Sequence, residues 1–209
     1  MGVSGIFGVL IAFFLPAFLF GGESFVRSFA FHAHRGLQVE SLGASVLITL
    51  GYVEELIYEY GAYHVLGHGV KLLSSLSLPI TALLLIVTGA VAYREYREGG
   101  FGAGQFPRFA AAFVLAFLLG SKVLSPQYII WLLPLVPLSA RGVWGVLVSG
   151  LFLTICWMTT QIYPNHYGEI LNLESSGTIV ILWRNVLLVI LWVWMLSLSS
   201  ESTQQASRE

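Results

Sequence analysis

Three long apolar segments constrain this chain more than any other feature of its sequence. They cover residues 72–93, 143–159 and 178–198. A helix that crosses a bilayer needs about 20 predominantly apolar residues, so segments of this length predict membrane-spanning helices. The composition agrees, since 56% of the 209 residues are hydrophobic and only 10% are charged, whereas an average soluble domain has about 25% charged residues. We therefore expect a polytopic membrane protein.

Shorter apolar segments add further helices to this prediction. Residues 5–20, 107–120 and 126–138 are long enough to span or half-span, whereas residues 42–50 are too short and favour an interfacial or re-entrant helix. The predicted fold is all-α: a polytopic transmembrane helix bundle with about six spanning or half-spanning helices and one short interfacial or re-entrant helix. We expect a single transmembrane domain over residues 1–200 and a disordered polar tail over residues 201–209.

The first apolar segment begins almost at Met1. Residues 1–20 contain no lysine or arginine, whereas a signal peptide has a basic region before its apolar stretch. We therefore interpret residues 5–20 as a membrane helix. Its early start suggests the C-terminal part of a longer or split protein.

Several other functions find little support in the sequence. Cys156 is the only cysteine, which excludes an intramolecular disulfide. The net charge is -1 and the sequence has no basic patch, so we expect no nucleic-acid partner. His64 and His68 have the spacing of a helical metal pair, and His32 and His34 could add ligands. Zinc sites, however, need a defined ligand set, and we expect no metal and no cofactor.

Two polar segments precede the first long span. Residues 21–38 mix charges with phenylalanines and are too polar to cross a membrane, so they predict an interfacial segment. Glu54, Glu55 and Glu59 follow among tyrosines. We interpret them as the solvated face of a helix-like segment at the membrane boundary, where tyrosine accumulates.

A short polar island separates two of the apolar segments. It has the sequence Lys122-Val-Leu-Ser-Pro-Gln-Tyr128. Ser125 precedes a proline and suits an N-cap, and Pro126 suits the first helical turn. The free N–H groups of a helix that starts here would face Lys122, which favours a phosphate site. The alternative is an ordinary helix–turn–helix with a lysine that reaches towards water.

The arginines and lysines suggest an orientation. Short loops that carry Arg94, Arg97, Arg108 and Arg141 belong on the cytoplasmic side. Alternation of spans then places residues 23–71, 122–128 and 161–177 together on the opposite side. Arg184 lies inside the last span, where a charge is costly and is a functional candidate. Its alternative role is a structural pair with a glutamate such as Glu174.

Two motifs carry a resemblance to a known family. Arg35-Gly-Leu-Gln-Val-Glu-Ser41 and Lys122-Val-Leu-Ser-Pro-Gln-Tyr-Ile-Ile-Trp-Leu-Leu-Pro134 together resemble the C-terminal half of GT-C type integral-membrane glycosyltransferases. The closest group is the bacterial polyprenol-phosphate-mannose-dependent α-mannosyltransferases and their uncharacterised relatives. The resemblance implies a multi-pass protein of the cell membrane that takes a sugar from a polyprenyl-phosphate donor and transfers it to an extracytoplasmic lipid or glycan acceptor.

The resemblance also implies roles for particular residues. The family typically uses an aspartate of its first external loop as catalytic base, but this chain contains no aspartate. Glu40 is then the carboxylate that could act as base, unless an N-terminal partner segment supplies one or the chain is inactive alone. Its alternative role is an ion pair with Arg35. We expect the donor phosphate to be bound by Arg35, Lys122 and Arg184 in one pocket. The remaining candidates for substrate binding are Gln38, Ser125, Gln127, Tyr128 and His166.

A function of a different class remains open. The chain could be a non-enzymatic membrane protein, such as half of a transporter or an assembly subunit, whose broken helices line a solute path. A transporter would predict an inverted repeat, which the sequence does not display.

Overall fold

The computed structural model describes residues 3–99 and 105–198, and it divides the chain into two compact units, residues 1–36 and 37–209. The first unit contains helix α1, Val3–His34. Gly22 interrupts α1 with a φ of 47°, a left-handed conformation that suits glycine. The break brings the ring of Phe25 to 6.3 Å from that of Phe14 and 6.1 Å from that of Phe18.

The second unit is a helical bundle with one β-hairpin. Its α-helices and strands, in chain order, are α2 (Leu42–Thr49), β1 (Val53–Glu59), β2 (Ala62–Gly67), α3 (Val70–Gly99), α4 (Gln105–Gly120), α5 (Gly142–Thr160), α6 (Tyr167–Leu171) and α7 (Ser175–Ser197). A π-helical turn, Gln161–Asn165, continues α5. The mainly helical content confirms the all-α class, and α2 confirms the short helix expected at residues 42–50.

Three helices in the described ranges are long and apolar enough to cross a membrane. They are Val70–Glu98, Gly142–Asn165 and Ser175–Ser197, and they include the three long apolar segments of the sequence. Their helical structure and length are therefore confirmed, whereas a total of about six spans is not. Residues 5–20 are helical as well, in the first part of α1, and the tail over 201–209 lies outside the described residues.

Helix α4 lies at the centre of the bundle and packs against both α3 and α7. Most of its side chains are buried, although it has only 16 residues. At its end, a Cβ on Gly120 would lie 2.5 Å from the Cα of Thr81. Only glycine allows α3 and α4 to approach this closely. The main apolar core joins α4, α5 and α7, with Leu115, Phe152 and Leu188 among its buried residues.

The hairpin corrects the helix-like prediction for Glu54, Glu55 and Glu59. These residues lie on β1, which pairs antiparallel with β2. The two strands are joined by Tyr60 and Gly61, which both have positive φ, as type I′ hairpin turns require. The hairpin also removes the reason for treating His64 and His68 as a helical metal pair, because their spacing no longer places them on one helical face.

The polar island is followed by 3₁₀ turns, which corrects the predicted helix over residues 126–138. Pro126–Leu132 and Val136–Leu138 are both 3₁₀ segments. Pro134 and Pro137 lack N–H donors and disfavour α-helical conformation in the residues before them. Two prolines this close together disfavour a regular α-helix across this stretch.

The arginines assigned to cytoplasmic loops lie mostly on helices. Arg94 and Arg97 are exposed on the last turns of α3, so the predicted charged loop begins inside a helix. Arg108 is fully buried in the first turns of α4, because it has protein partners on α3 and after α7. Arg141 is exposed immediately before α5. Arg108 is thus a packing residue and not a loop charge.

Candidate functional site

The polar segment Leu37–Ser41 lies at the centre of the candidate site and is fixed by main-chain hydrogen bonds. Val39 N–H donates to the Tyr63 carbonyl at 3.0 Å, and Val65 N–H donates to the Leu37 carbonyl at 2.9 Å. The segment thereby lies beside β2, which it joins through one isolated antiparallel bridge between Gln38 and His64. Ser41 then caps α2 by accepting a hydrogen bond from the Ala44 N–H at 3.2 Å.

The same segment contacts the polar island. Gln38 N–H donates to the Lys122 carbonyl at 2.9 Å. The two motifs that carry the family resemblance are therefore joined directly in the fold, although about 80 residues of sequence separate them. The Lys122 side chain is half-buried.

Glu40, which belongs to the segment Leu37–Ser41, is buried, with only 2% of its surface exposed. Burial raises the pKa of its carboxyl group, because the charged form loses hydration. Its own backbone N–H, the charge of Arg184, and hydrogen bonding from Gln38 and Tyr167 act in the opposite direction but are weaker. The pKa of Tyr167 is also raised, by burial and then by the nearby Glu40 carboxylate. Burial therefore makes Glu40 easier to protonate than an exposed glutamate.

Helix α7 supplies the polar side chains that face Glu40. Arg184 Nη2 donates to the Glu40 carbonyl at 3.0 Å. Asn185 Nδ2 donates to the same carbonyl at 3.2 Å and to Ser45 Oγ at 3.0 Å. Both α7 side chains are fully buried. Two consecutive residues of α7 therefore hold the Glu40 backbone and the start of α2 against the bundle.

This arrangement bears on the alternative of a structural pair between Arg184 and a glutamate. Arg184 lies beside Glu40, whereas Glu174, the glutamate given as an example, is exposed at the start of α7, ten residues and about 15 Å of helix away. The charge of Arg184 acts on the carboxyl group of Glu40, and the alternative ion pair of Glu40 with Arg35 stays a prediction. Arg35 belongs to the first unit, where its guanidinium lies 5.8 Å from the Phe31 ring centroid.

The structure brings together only part of the predicted phosphate site. Arg184 and the Lys122 main chain both flank the segment that carries Gln38 and Glu40. Convergence of these two cations with Arg35 on one phosphate stays a prediction. The helix N-terminus that was expected to support it is a 3₁₀ segment of seven residues, and the Ser125 side chain makes no capping hydrogen bond.

The remaining predicted substrate residues lie on the 3₁₀ segment and beside α6. Gln127 lines a groove of about 310 Å³ together with Pro126, Thr160 and Tyr163. Tyr128 stacks on Trp131 at a centroid distance of 4.7 Å. His166 Nδ1 lies 2.8 Å from Glu169 Oε1, and the hydrogen bonds from His166 and Ser176 lower the pKa of Glu169. None of these contacts reaches Glu40.

The sequence did not identify every polar residue of the site. Asn185, Ser45 and Tyr167 contact or approach Glu40, but none was a candidate. The signal for Asn185 was its position next to Arg184 inside an apolar span, where two adjacent polar side chains need buried partners. The described part of the chain contains no cluster of three metal-ligating side chains.

The arrangement favours the protonated form of a buried carboxyl group. A buried carboxylate lies near a guanidinium, an amide and a phenol, within a segment fixed to three elements of the fold. No family model, curated protein or solved structure matches this chain.

Proposed function

We propose that this chain is a multi-pass protein of the cell membrane that takes part in glycosyl transfer from a polyprenyl-phosphate donor to an extracytoplasmic lipid or glycan acceptor. The supporting observation is the 2.9 Å hydrogen bond between Gln38 N–H and the Lys122 carbonyl. It joins the two motifs on which the resemblance to GT-C glycosyltransferases depends. Mannose is the first sugar to test.

Within this proposal, Lys122 and Arg184 stabilise the negative charge that develops on the departing phosphate. Glu40 accepts the proton of the attacking hydroxyl group. Its raised pKa favours that role, because a general base works best when its pKa lies near the working pH. Glu40 is nearly inaccessible, so the acceptor hydroxyl group can reach it only after the segment Leu37–Ser41 moves. The alternative is that a partner segment supplies the base.

A second function is favoured by the same burial. Glu40, Arg184 and Asn185 are almost fully enclosed and contact one another, as expected of a network that holds helices together. The chain would then be a non-catalytic membrane subunit, such as half of a transporter or an assembly factor. A donor-binding measurement separates the two proposals, since only the first requires a lipid-phosphate sugar to bind.

The test uses the full chain in lipid nanodiscs with radiolabelled polyprenyl-phosphate mannose. We expect saturable binding that Lys122→Ala weakens about tenfold or more, as loss of a charge-assisted hydrogen bond to a phosphate predicts. Lys71→Ala is the matched control, because Lys71 is exposed at the start of α3. Equal binding by both variants, or no binding by the wild type, would favour the non-catalytic subunit.

A further inference from the structure

The two edges of the β-hairpin have different surroundings. On one edge, β2 lies beside the segment Leu37–Ser41, to which the Tyr63 carbonyl and the Val65 N–H form hydrogen bonds. In an antiparallel ladder, residues alternate between facing the partner strand and facing away from it with their main-chain groups. Tyr63 and Val65 therefore face away from β1, and the edge of β2 is occupied.

The register of the hairpin shows which groups of β1 form the other edge. Tyr58 is paired with Tyr63, and Leu56 is paired with Val65. Residues that oppose each other in an antiparallel ladder share the same orientation, either towards the partner strand or away from it. The N–H and C=O groups of Leu56 and Tyr58 thus point away from β2. Within the described part of the chain, no main-chain hydrogen bond reaches them.

This outer edge of β1 is accessible to another strand. Tyr58 is 65% exposed, and β1 packs mainly against β2. A row of unpaired N–H and C=O groups can pair with a further strand, and proteins repeatedly bind extended segments of their partners in this way. Charged side chains are a common protection against such pairing, so the charges of β1 decide which segment can bind.

The charges of β1 disfavour a second copy of this chain. Glu55 and Glu59 are exposed on the same face of the hairpin, and neither forms an ion pair in the described ranges. Suppose that two copies paired with Leu56 of each opposite Tyr58 of the other. Glu55 of each copy would then lie opposite Glu59 of the other, and like charges in this position destabilise a sheet.

We propose that the outer edge of β1 binds an extended segment of a partner protein in which basic and apolar residues alternate. The basic side chains face Glu55 and Glu59 across the strands, where opposite charges stabilise. The apolar side chains lie on the other face, beside Leu56 and Tyr58. Residues 51–70 contain three glutamates and no lysine or arginine, so the hairpin provides no cation of its own for these carboxylates. The surface does not depend on glycosyl transfer.

Amide hydrogen exchange of the full chain tests the edge residue by residue. The chain is placed in phosphatidylcholine nanodiscs, and the probe is a synthetic peptide of alternating lysine and valine. Without peptide, we expect faster exchange at Leu56 and Tyr58 than at Ile57 and Glu59, whose N–H groups face β2. At a peptide concentration about ten times its Kd, exchange at Leu56 and Tyr58 should slow about tenfold.

Variants separate strand pairing from general attraction between charges. Tyr58→Pro removes an outward N–H that the ladder with β2 does not use, so it should weaken binding of the labelled peptide about two- to tenfold. Tyr58→Ala, which removes the ring and keeps the N–H, is its control. Glu55→Gln combined with Glu59→Gln should also weaken binding about two- to tenfold. Glu98→Gln, exposed at the other end of α3, should leave it unchanged.

Several results would overturn the proposal. Exchange at Leu56 and Tyr58 that the peptide does not slow would show that the edge binds no strand. Slow exchange at both residues before peptide is added would show that this chain or a second copy already covers the edge. Equal binding of a glutamate–valine peptide would refute the role of charge. If Tyr58→Pro fails to fold, N-methylation of alternate peptide residues tests the same hydrogen bonds, and a peptide that binds equally well with either set methylated would refute strand pairing.

Discussion

Two fully buried arginines, Arg108 and Arg184, lie on neighbouring helices and have different surroundings. Arg108 forms a direct ion pair with Glu95 of α3 and donates a hydrogen bond from Nη1 to the carbonyl of Leu198, just after α7. Arg184 donates to the carbonyl of Glu40 and lies near its carboxylate without a direct ion pair in the described part of the chain. Equal burial therefore does not mean equal roles.

The difference follows from what each arginine joins. Arg108 connects α3, α4 and the end of α7 through an ion pair and a main-chain hydrogen bond, which is the arrangement of a structural clamp. Arg184 faces a segment that is neither helix nor regular strand and that carries its own amide, carboxylate and main-chain polar groups. A buried charged pair with a carboxyl pKa shifted by burial is more typical of a functional site than of a simple clamp. The Glu40 end is therefore the better candidate for function.

The largest expected effect is the loss of the clamp. Arg108→Met should lower the free energy of unfolding by about 3–5 kcal/mol, because it leaves the carboxylate of Glu95 buried without its partner. Thermal unfolding of the purified chain in detergent, followed by tryptophan fluorescence, measures this change. Arg94→Met is the control, since Arg94 is exposed and its pair with Glu98 is a surface contact worth at most about 1 kcal/mol.

A double variant shows whether charge or packing is responsible. Combining Arg108→Met with Glu95→Leu should recover much of the lost stability, because an apolar pair of similar volume often replaces a buried ion pair without penalty. If the double variant is as unstable as Arg108→Met alone, the arginine acts through its contacts with Phe109 and Leu198 and not through Glu95.

The second arginine should be less sensitive. Arg184→Met should cost about 1–3 kcal/mol near neutral pH, as expected for removal of a buried hydrogen-bond donor, because Asn185 still donates to the Glu40 carbonyl. Glu40 can also take up a proton when its cationic neighbour is lost. A loss as large as that of Arg108→Met would contradict the proposed difference between the two arginines.

The pH dependence of this variant has a definite sign. The pKa of Glu40 is raised by burial in the folded state, and removal of the Arg184 charge raises it further. The stabilisation linked to a raised carboxyl pKa is complete below the unfolded-state pKa and is lost as pH rises through the folded-state pKa. Arg184→Met should therefore differ least from the wild type in acid and most at higher pH. Adding Glu40→Gln should remove this dependence, and a variant that is weakest in acid would disprove it.

Local sequence patterns predicted the helices well and the site only in part. Residues 72–93, 143–159 and 178–198 form helices because their apolar character extends over the length of a span. The hairpin was missed because three glutamates among tyrosines resembled an interfacial helix face. Its turn depends on positive φ at Tyr60 and Gly61, and a tyrosine does not signal positive φ in a sequence as asparagine or aspartate would.

The partners of the buried arginines could not be predicted for a different reason. Arg184 bonds to Glu40, 144 residues earlier in the chain, and Arg108 bonds to Leu198, 90 residues later. For Arg184 the sequence suggested only a structural pair with some glutamate, such as Glu174. Contacts between distant segments depend on how α4 and α7 pack, and no local pattern of residues records that packing.

The smallest expected effect concerns the hydroxyl group that faces Glu40. Tyr167→Phe should lower the free energy of unfolding by about 0.5–1.5 kcal/mol, the usual net value of one hydrogen bond, and should raise the pKa of Glu40 further, because the Tyr167 hydroxyl stabilises its charged form. Tyr163→Phe is the matched control. Tyr163 contacts Tyr167 at a centroid distance of 5.2 Å but is 56% exposed, so its hydroxyl group should matter little.

Unfolding measured across pH separates this hydrogen bond from simple packing. Loss of a donor to the carboxylate makes Tyr167→Phe relatively weaker at high pH, where Glu40 is charged, and nearly neutral in acid, where the protonated carboxyl needs no such donor. A packing defect would instead be the same at every pH. A pH-independent loss in Tyr167→Phe would mean that Glu40, like Glu95, is held by a single arginine, and the contrast between the two ends of the bundle would disappear.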